Sequence, residues 1–445
     1  MNGSEAMIGK GGRPGYLSGI FLLWLCMFST CIAQDTAFPL RISQDSRHLE
    51  DSKGLPFLIV GDSAWSLIGD ASLPDAEFYL ETRKRQGFNA VLVSLIEHQF
   101  SRKAPANFYD EKPFAGDAFG RPNDAYFDRA EAIIKAAASR NLLVLLCPAY
   151  SGARGGPEGW YQDMVAAGPE KLRAYGRYVG QRFAKYPNIV WVQGGDYDPP
   201  NRNLVTAVAM GIADTDPRAL QTVHGNPDTL TNDFWRDASW LAIDTVYTYG
   251  NVAATVLDRY RSGPQRPFFL IEGVYEGEHD VKERQVRLNA YGALLSGASG
   301  QFFGNNPVWH FSAAGLYEAK DSWQASLNSR GAQSITHLAA LFRQLEWWKL
   351  VPDLGSMLKT DAGAFAARDK DGAFALIYLD TPSVTIDLDR LAAAEKTLRW
   401  YDPSNGLYLE PVEHLGRGGL RNLTVPASAN ASSFQDWIAV LSAQE

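Results

Sequence analysis

Eight short apolar runs recur at a regular spacing over the first two thirds of the chain, with helix-like stretches between them. The runs lie at 57–60, 90–95, 142–146, 189–192, 220–223, 243–246, 268–271 and 301–303. Most of them are apolar on both faces, as parallel strands are when both sides of the sheet are covered. Eight strand-then-helix units in succession predict an α/β fold, the (β/α)8 TIM barrel.

The helix-like stretches support this interpretation. One begins near Pro74 and stops at Gly87, with proline early and glycine late as helix ends prefer. Others are predicted after Asn123, between 172 and 183, and over 281–295 and 323–345, with shorter helices after strands four to six. An open doubly wound sheet is the alternative fold. It usually has a glycine-rich phosphate loop, and neither GxGxxG nor GxxxxGK[ST] occurs here, so nothing supports nucleotide binding.

The pattern changes near Val351, where short alternating strands replace helices. Segments 364–368 and 373–379 flank Asp369-Lys-Asp-Gly372, which is typical of a hairpin. Further strands are predicted at 383–388, 397–401, 407–409, 420–425 and 437–441. This density of strands predicts a small C-terminal β-sandwich over 350–445, following a barrel domain over 34–349.

Residues 1–33 have the pattern of a secretory signal. Lys10 and Arg13 precede an apolar run over 16–32, and the small residue Ala33 stands before a polar stretch. We predict cleavage near Ala33 and a secreted or periplasmic protein. An uncleaved segment that anchors the protein to a membrane is the alternative. Once the signal is removed, only Cys147 remains of three cysteines, and we expect it to be a buried core residue.

Charge and composition narrow the possible partners. The chain has 42 Lys+Arg against 50 Asp+Glu, a formal net charge of -8, whereas nucleic acids bind basic surfaces. We therefore expect no nucleic-acid partner, and no membrane partner after signal cleavage. The 12 tryptophans suit a site that stacks on sugar rings. An oligo- or polysaccharide is the expected substrate.

In a barrel of this type the reacting groups lie just past the carboxyl ends of the strands. Asp196 follows strand four and Glu272 follows strand seven, so we expect them to face each other across the barrel mouth. A retaining glycosidase needs two carboxyls about 5–5.5 Å apart, one as nucleophile and one as acid/base. Buried ion pairs with arginine are the alternative for both. Candidate substrate-binding residues follow the other strand ends: Asp62, Trp65, Glu97, His98, Tyr150, His224, Tyr247, Tyr275, Asn305 and Trp309.

Other chemistries have less support. The seven histidines form neither HxH nor HExxH, and GxSxG is absent, so the common zinc and serine-hydrolase motifs are missing. We expect no cofactor and no metal. A non-catalytic carbohydrate-binding barrel is the main rival interpretation, and a polysaccharide lyase or metal hydrolase is the third.

Several segments carry a further signal: Gly61-Asp-Ser-Ala-Trp65, Gly87-Phe-Asn-Ala90, Tyr186-Pro-Asn-Ile-Val-Trp-Val-Gln-Gly-Gly-Asp196, Glu272-Gly-Val-Tyr-Glu276 and Phe303-Gly-Asn-Asn-Pro-Val-Trp309. Together they resemble the apiosidase-like glycoside hydrolases. Trp400-Tyr-Asp-Pro-Ser-Asn-Gly406 resembles the collagen-binding-type β-domain that follows this barrel. The resemblance extends over nearly all of residues 38–445.

The resemblance implies a (β/α)8 barrel with Asp196 as acid/base and Glu272 as nucleophile. The family's founding activity releases apiose from pectic side chains. Val246-Tyr-Thr-Tyr-Gly250 departs from the family's pattern in a loop that shapes the sugar pocket, which leaves the sugar open. The sequence therefore predicts an exported glycoside hydrolase that cleaves a plant-type glycan, with an apiose-containing pectic glycan as the candidate.

Overall fold

The computed structural model describes residues 35–262, 266–312, 317–359, 363–392 and 395–444. The predicted signal and its cleavage site near Ala33 lie outside these ranges and stay predictions. Thr36–Glu445 forms one compact unit. Within the described ranges, no helix has both the length and the apolar character needed to span a bilayer.

Eight parallel strands with wholly buried residues form the barrel. In chain order they are β1 (Ile59–Ser63), β2 (Ala90–Ser94), β3 (Leu143–Cys147), β4 (Ile189–Gly194), β5 (Gln221–His224), β6 (Asp244–Tyr247), β7 (Phe268–Glu272) and β8 (Gly300–Phe303). The sheet order is β5-β4-β3-β2-β1-β8-β7-β6, and Cys147 is buried as expected. Threonine side chains connect β5 to β6. The Thr222 hydroxyl donates a hydrogen bond to Ile243 O at 2.7 Å, and the Thr245 hydroxyl donates one to Val223 O at 2.6 Å. The predicted TIM barrel is confirmed, as a nearly closed one.

A helix follows each barrel strand. The helices are α1 (Leu73–Arg85), α2 (Asp124–Ser139), α3 (Tyr161–Phe183), α4 (Arg202–Thr215), α5 (Thr231–Phe234), α6 (Val252–Arg261), α7 (Glu283–Leu295) and α8 (Arg330–Phe342). Single turns lie at Leu67–Asp70, Ala153–Gly155, Val308–His310, Trp323–Ser326, Trp347–Lys349 and Leu388–Arg390. The helix predicted over 323–345 is split, because Ser329 starts α8 by accepting the N–H of Ala332. The helix α4 has 14 residues and is longer than predicted.

The first barrel strand begins two residues later than predicted. Pro56–Phe57 instead belongs to a small antiparallel sheet with Arg41–Ile42 and Leu49–Glu50. Asp62 therefore lies inside β1 and not beyond its end. Its carboxylate accepts from Tyr79 and from Arg83 Nε at 2.7 Å, and both members of this ion pair are fully buried. The prediction that Asp62 binds substrate is wrong here, because its carboxylate is sealed in the wall between β1 and α1.

The C-terminal region consists of antiparallel strands, and each of the seven predicted ones is present. The strands are Leu350–Pro352, Ala364–Asp369, Phe374–Leu379, Ser383–Asp387, Glu395–Asp402, Leu407–Tyr408, Glu413–Gly416, Leu420–Thr424 and Trp437–Gln444. Seven of them form one sheet, while Ser383–Asp387 pairs with Leu420–Thr424 in a second. Apolar side chains between the two sheets, such as Ile377, Ile386 and Leu423, form their shared core. The predicted small sandwich is thus a large sheet covered by a two-stranded one.

The other face of the large sheet packs on the barrel. Tyr378 and Ile438 belong to the same apolar cluster as Leu294 of α7 and Leu338 of α8. Inside this contact Arg287 forms a two-pronged ion pair with Asp436, at 2.6 Å from Nε and 2.8 Å from Nη2. Both side chains are buried. The β-domain and the barrel therefore share a core and are held in one arrangement.

Candidate active site

A turn of unusual backbone conformation places Asp196 at the barrel mouth. Gly194, Gly195 and Asp196 follow one another with φ of 77°, 134° and 50°. A Cβ atom on Gly195 would lie 2.3 Å from the ring of Tyr150, so only glycine fits there. Residues other than glycine rarely adopt a positive φ, and those that do concentrate at functional sites.

Asp196 and Glu272 converge as predicted. A carboxylate oxygen of each lies within 4.8 Å of the other, which is close to the spacing of a retaining glycosidase at about 5–5.5 Å. His224 lies between them, with Nδ1 3.3 Å from Asp196 Oδ1 and Nε2 3.1 Å from Glu272 Oε2. Among the described residues no arginine or lysine pairs with either carboxylate. The alternative of arginine ion pairs is therefore wrong for these two residues.

The environment of Asp196 suits a group that gives and takes a proton. Burial raises the pKa of its carboxyl to about 6, and the charge of Glu272 adds to the rise while His224 and Tyr150 oppose it. The hydroxyl of Tyr150 donates to Oδ2 at 2.7 Å. A carboxyl with such a pKa can hold a proton and release it near neutral pH.

Three donors surround the carboxylate of Glu272. Tyr249 donates to Oε1 at 2.6 Å, and Tyr275 donates to Oε2 at 3.2 Å. The third is Nε2 of His224, 3.1 Å from Oε2. Burial lowers the pKa of this ring, but the hydrogen bond to Glu272 and the charges of both carboxylates outweigh burial and raise the pKa, which favours a hydrogen on Nε2. These bonds orient the Glu272 carboxylate, so Asp196 and Glu272 differ in surroundings as the two groups of a glycosidase must.

The same three residues are the group in the described chain that could hold a metal ion: Asp196, His224 and Glu272. However, His224 approaches the two carboxylates through different ring nitrogens. One ion binds only one nitrogen of a histidine ring, and the other nitrogen keeps its own carboxylate partner, so the second carboxylate faces the nitrogen that the ion does not bind. The arrangement fits a hydrogen-bond relay better than a metal centre.

A cavity of about 550 Å³ opens above the carboxylate pair. Its walls carry aromatic rings and carboxyl groups, which suits a sugar with apolar ring faces and polar edges. The lining residues are Trp65, Ser94, Glu97, Phe100, Tyr150, Asp196, Tyr249, Glu272, Tyr275, Glu278 and Trp309. Seven of them are among the twelve site residues predicted from the sequence.

The other five selected residues do not line this cavity. His224 and Tyr247 lie behind it: His224 bridges the carboxylates, and Tyr247 donates to the Tyr249 hydroxyl at 2.9 Å. We predicted that both residues contact substrate; instead they contact the side chains that line the cavity. Asp62 is sealed in the barrel wall, as described above.

His98 and Asn305 also point elsewhere. His98 lies at the rim, where Nε2 is 3.2 Å from Asp163 Oδ2 and the ring packs edge-on against Trp160. Asn305 is buried and donates to Glu276 at 3.1 Å, and Glu276 in turn accepts the N–H of Gly331 at the start of α8. The prediction that Asn305 binds substrate is corrected, since its side chain helps to hold the helix α8.

Four lining residues were not selected from the sequence: Ser94, Phe100, Tyr249 and Glu278. Tyr247 is the last residue of β6 and Tyr249 stands two residues later, so the sequence predicts both on the same side of the chain. Ser94 is the last residue of β2. Phe100 and Glu278 lie in long loops, and no periodicity in the sequence indicates that they return to the cavity.

Comparison with known proteins agrees with this geometry. Residues 43–349 match the family model "Apiosidase-like, catalytic domain", and residues 351–442 match "Putative collagen-binding domain of a collagenase". No curated protein sequence matches the chain.

Several solved structures have the same fold. A structure titled "Glycoside hydrolase" is 24% identical, with a TM-score of 0.79 over 92% of this chain and 99% of the other. A glycoside hydrolase family 5 from Bacteroides vulgatus is 22% identical, with a TM-score of 0.78 over 91% of this chain and 93% of the other. A family 5 mannosidase from Rhizomucor miehei is 12% identical, with a TM-score of 0.54 over 70% of this chain and 98% of the other. At these identities the likeness shows the fold.

Proposed function

Since the chain belongs to the family of apiosidase-like catalytic domains and is a glycoside hydrolase, we propose that it cleaves a plant-type glycan by a retaining mechanism with two carboxyl groups. One observation carries the proposal. The carboxylates of Asp196 and Glu272 approach within 4.8 Å in a cavity lined by aromatic rings. That spacing leaves no room for the water that an inverting enzyme places between its two groups.

In the first step Asp196 acts as acid and Glu272 as nucleophile. The proton on Asp196 moves to the glycosidic oxygen, while the Glu272 carboxylate attacks the anomeric carbon. The bond between that carbon and the leaving oxygen breaks, and its electron pair stays on the oxygen that gained the proton. The pKa of Asp196, raised to about 6, keeps a useful fraction of this carboxyl protonated.

In the second step Asp196, now ionised, removes a proton from water as the water oxygen attacks the anomeric carbon. The ester bond to Glu272 breaks, and the sugar leaves with its original anomeric configuration. The donors on Glu272, namely Tyr249, Tyr275 and the ring of His224, stabilise the carboxylate that is released.

The substrate we propose is an apiose-containing pectic glycan. Trp65 and Trp309 line the cavity and would pack against the apolar face of a sugar, while Glu97 and Tyr150 would hydrogen bond its hydroxyls. We also propose that the protein is exported, on the signal-like pattern of residues 1–33. The mass of the mature N-terminus tests this, since cleavage near Ala33 predicts a start at Gln34.

Two variants test the mechanism on a panel of aryl glycosides and pectic oligosaccharides. We expect Glu272→Gln to abolish turnover of every substrate. Asp196→Asn should lose about 10²–10⁴-fold on natural glycans but far less on 2,4-dinitrophenyl glycosides, because a good leaving group needs little protonation. Asp163→Asn is the matched control, because its carboxylate lies at the rim beside His98 and outside the cavity.

The anomer formed first, followed by proton NMR, distinguishes retention from inversion. Full activity of both active-site variants on a natural glycan would contradict the assignment of the two carboxylates. Binding of oligosaccharides without turnover by the unmodified protein would favour the non-catalytic carbohydrate-binding alternative.

A further inference from the structure

Four carboxyl groups line the cavity, two more than the proposed chemistry uses. Besides Asp196 and Glu272 they are Glu97 and Glu278. Glu278 lies in the loop after β7, and the indole N–H of Trp309 donates to its Oε1 at 2.9 Å. Among the described residues no donor reaches Oε2, which leaves this oxygen for a ligand. The bond to Trp309 therefore holds Oε1 of Glu278, and Oε2 is available to a ligand in the cavity.

Glu97 is held more firmly. Its Oε2 accepts from Ser66 at 2.9 Å, and its Oε1 accepts the backbone N–H groups of His98 at 3.0 Å and Phe100 at 3.3 Å. The side chain is almost fully buried. These donors hold Glu97 in one position, and Oε2, with a single donor, can still accept a hydrogen bond from a sugar hydroxyl.

None of the eleven described lining residues is a lysine or an arginine. Two arginines of the segments that follow β1 and β2 are engaged elsewhere, since Arg83 pairs with Asp62 and Arg102 pairs with Asp70. Proteins bind carboxylate-bearing ligands with arginine or lysine, because a desolvated carboxylate needs an opposite charge. The described walls of this cavity contain no lysine or arginine that could pair with a carboxylate of the substrate.

Glu278 lies on the side of the cavity away from the leaving group. Asp196 follows β4 and must face the leaving oxygen. Glu278 and Trp309 follow β7 and β8, which lie three and four strands from β4 across the barrel, whereas Glu97 follows β2, two strands from β4. Arg154 lies on the leaving-group side, where its backbone N–H donates to Asp196 O at 3.3 Å, and its side chain is exposed.

Resting on the proposed function, we propose that Glu278 is the residue that excludes a uronic acid from the ring position that Glu272 attacks. A uronate there would meet acidic groups and no lysine or arginine of the described walls, and like charges at short range oppose binding strongly. A neutral sugar instead offers hydroxyls, and the free Oε2 of Glu278 accepts a hydrogen bond from one of them. The leaving-group side carries no such restriction.

The charge of Glu278 sets the conditions of the test. Burial raises the pKa of its carboxyl to about 7; the Trp309 bond opposes the rise and the charge of Glu272 adds to it. Tyr275 and Tyr317 also face Glu278, and His279 is its neighbour in the chain. At pH 8 Glu278 is mostly ionised, so discrimination is measured there.

The experiment compares 4-nitrophenyl glycosides in pairs that differ only by a hydroxymethyl or a carboxylate group on the attacked ring, together with neutral pentosides. For the unmodified protein we expect turnover of a neutral sugar, and a kcat/KM at least about 100-fold lower for its uronide. Glu278→Gln should raise KM for the neutral substrate. It should also reduce the ratio of kcat/KM between the neutral glycoside and its uronide about tenfold. The glutamine oxygen still accepts from Trp309, so the charge alone is removed.

Glu158→Gln is the matched control, because Glu158 follows β3, acts on Tyr150 by its charge and does not line the cavity. It should leave this ratio unchanged. A uronide turned over within tenfold of its neutral partner overturns the inference. The inference is also overturned if Glu278→Gln leaves the ratio of kcat/KM between the neutral glycoside and its uronide unchanged. That includes the case in which neither protein turns over the uronide detectably. No turnover of any glycoside overturns the proposed function, and the inference falls with it.

Discussion

Replacing Tyr150 with phenylalanine removes one hydroxyl from the surroundings of the acid/base carboxyl. That hydroxyl donates to Asp196 Oδ2 at 2.7 Å and so stabilises the ionised form. The ring that packs against Trp65, with centroids 5.7 Å apart, stays in place. The change therefore alters the proton affinity of Asp196 more than the shape of the cavity.

The size of the effect follows from the bond that is lost. A hydrogen bond to a charged group contributes about 1.5–3 kcal/mol, and one pKa unit corresponds to about 1.4 kcal/mol, which allows a rise of about one to two units. The Asp196 side chain is 21% exposed, so water replaces part of the lost donor. We expect the pKa of Asp196 to rise from about 6 by about one unit.

The assay is the pH dependence of kcat/KM on an aryl glycoside that the unmodified protein cleaves. The protonated form of Asp196 is the active acid, and a higher pKa keeps it protonated to a higher pH. The alkaline limb should therefore move up by about one unit, while the maximal rate changes little. The limb reports the coupled pair of carboxyls and not one isolated group.

Tyr126→Phe is the control, because that buried hydroxyl donates to the backbone oxygen of Leu95 and not to a carboxylate in the cavity. Its profile should match that of the unmodified protein. An alkaline limb that stays in place in Tyr150→Phe, or moves to lower pH, would refute the reasoning.

Two further substitutions probe the structure around the site. Gly195→Ala would place a methyl group 2.3 Å from the ring of Tyr150, so kcat should fall at least about tenfold. Gly116→Ala is the control, because Gly116 is also at positive φ but has nothing within 4 Å of the added Cβ, and it should retain activity. Equal kcat values for the two variants would show that the turn at Gly195 tolerates the methyl group. Asp436→Asn removes the carboxylate that pairs with the buried Arg287 and should lower the free energy of unfolding by about 3–5 kcal/mol. Urea denaturation measures this, and an unchanged midpoint would contradict the role of the ion pair.

Much of the fold could be predicted because it depends on local patterns. Runs apolar on both faces recur wherever a barrel strand lies, and proline, glycine and capping residues mark several helix ends. Asp196 and Glu272 were predictable for a related reason. Glu272 directly follows such a run and Asp196 comes four residues after the end of another, and parallel strands bring their carboxyl ends to the same edge of the barrel.

The errors arose where a side chain's position depends on register or on a loop. A shift of two residues in β1 placed Asp62 inside the strand, against Arg83. Asn305 turned towards Glu276 and the start of α8, a contact between distant segments that periodicity does not indicate. Glu278 returns to the cavity from a loop, where the bond to Trp309 holds it.

By itself the sequence determined the order of strands and helices, the change to a β-domain and the two carboxyls that face each other, because each of these follows from spacing along the chain. Only the tertiary structure decided that His224 joins the two carboxyls, that three tyrosines serve them as donors, and that no described cation lines the cavity. Those features depend on contacts between residues far apart in the chain, and such contacts exist only once the barrel has closed.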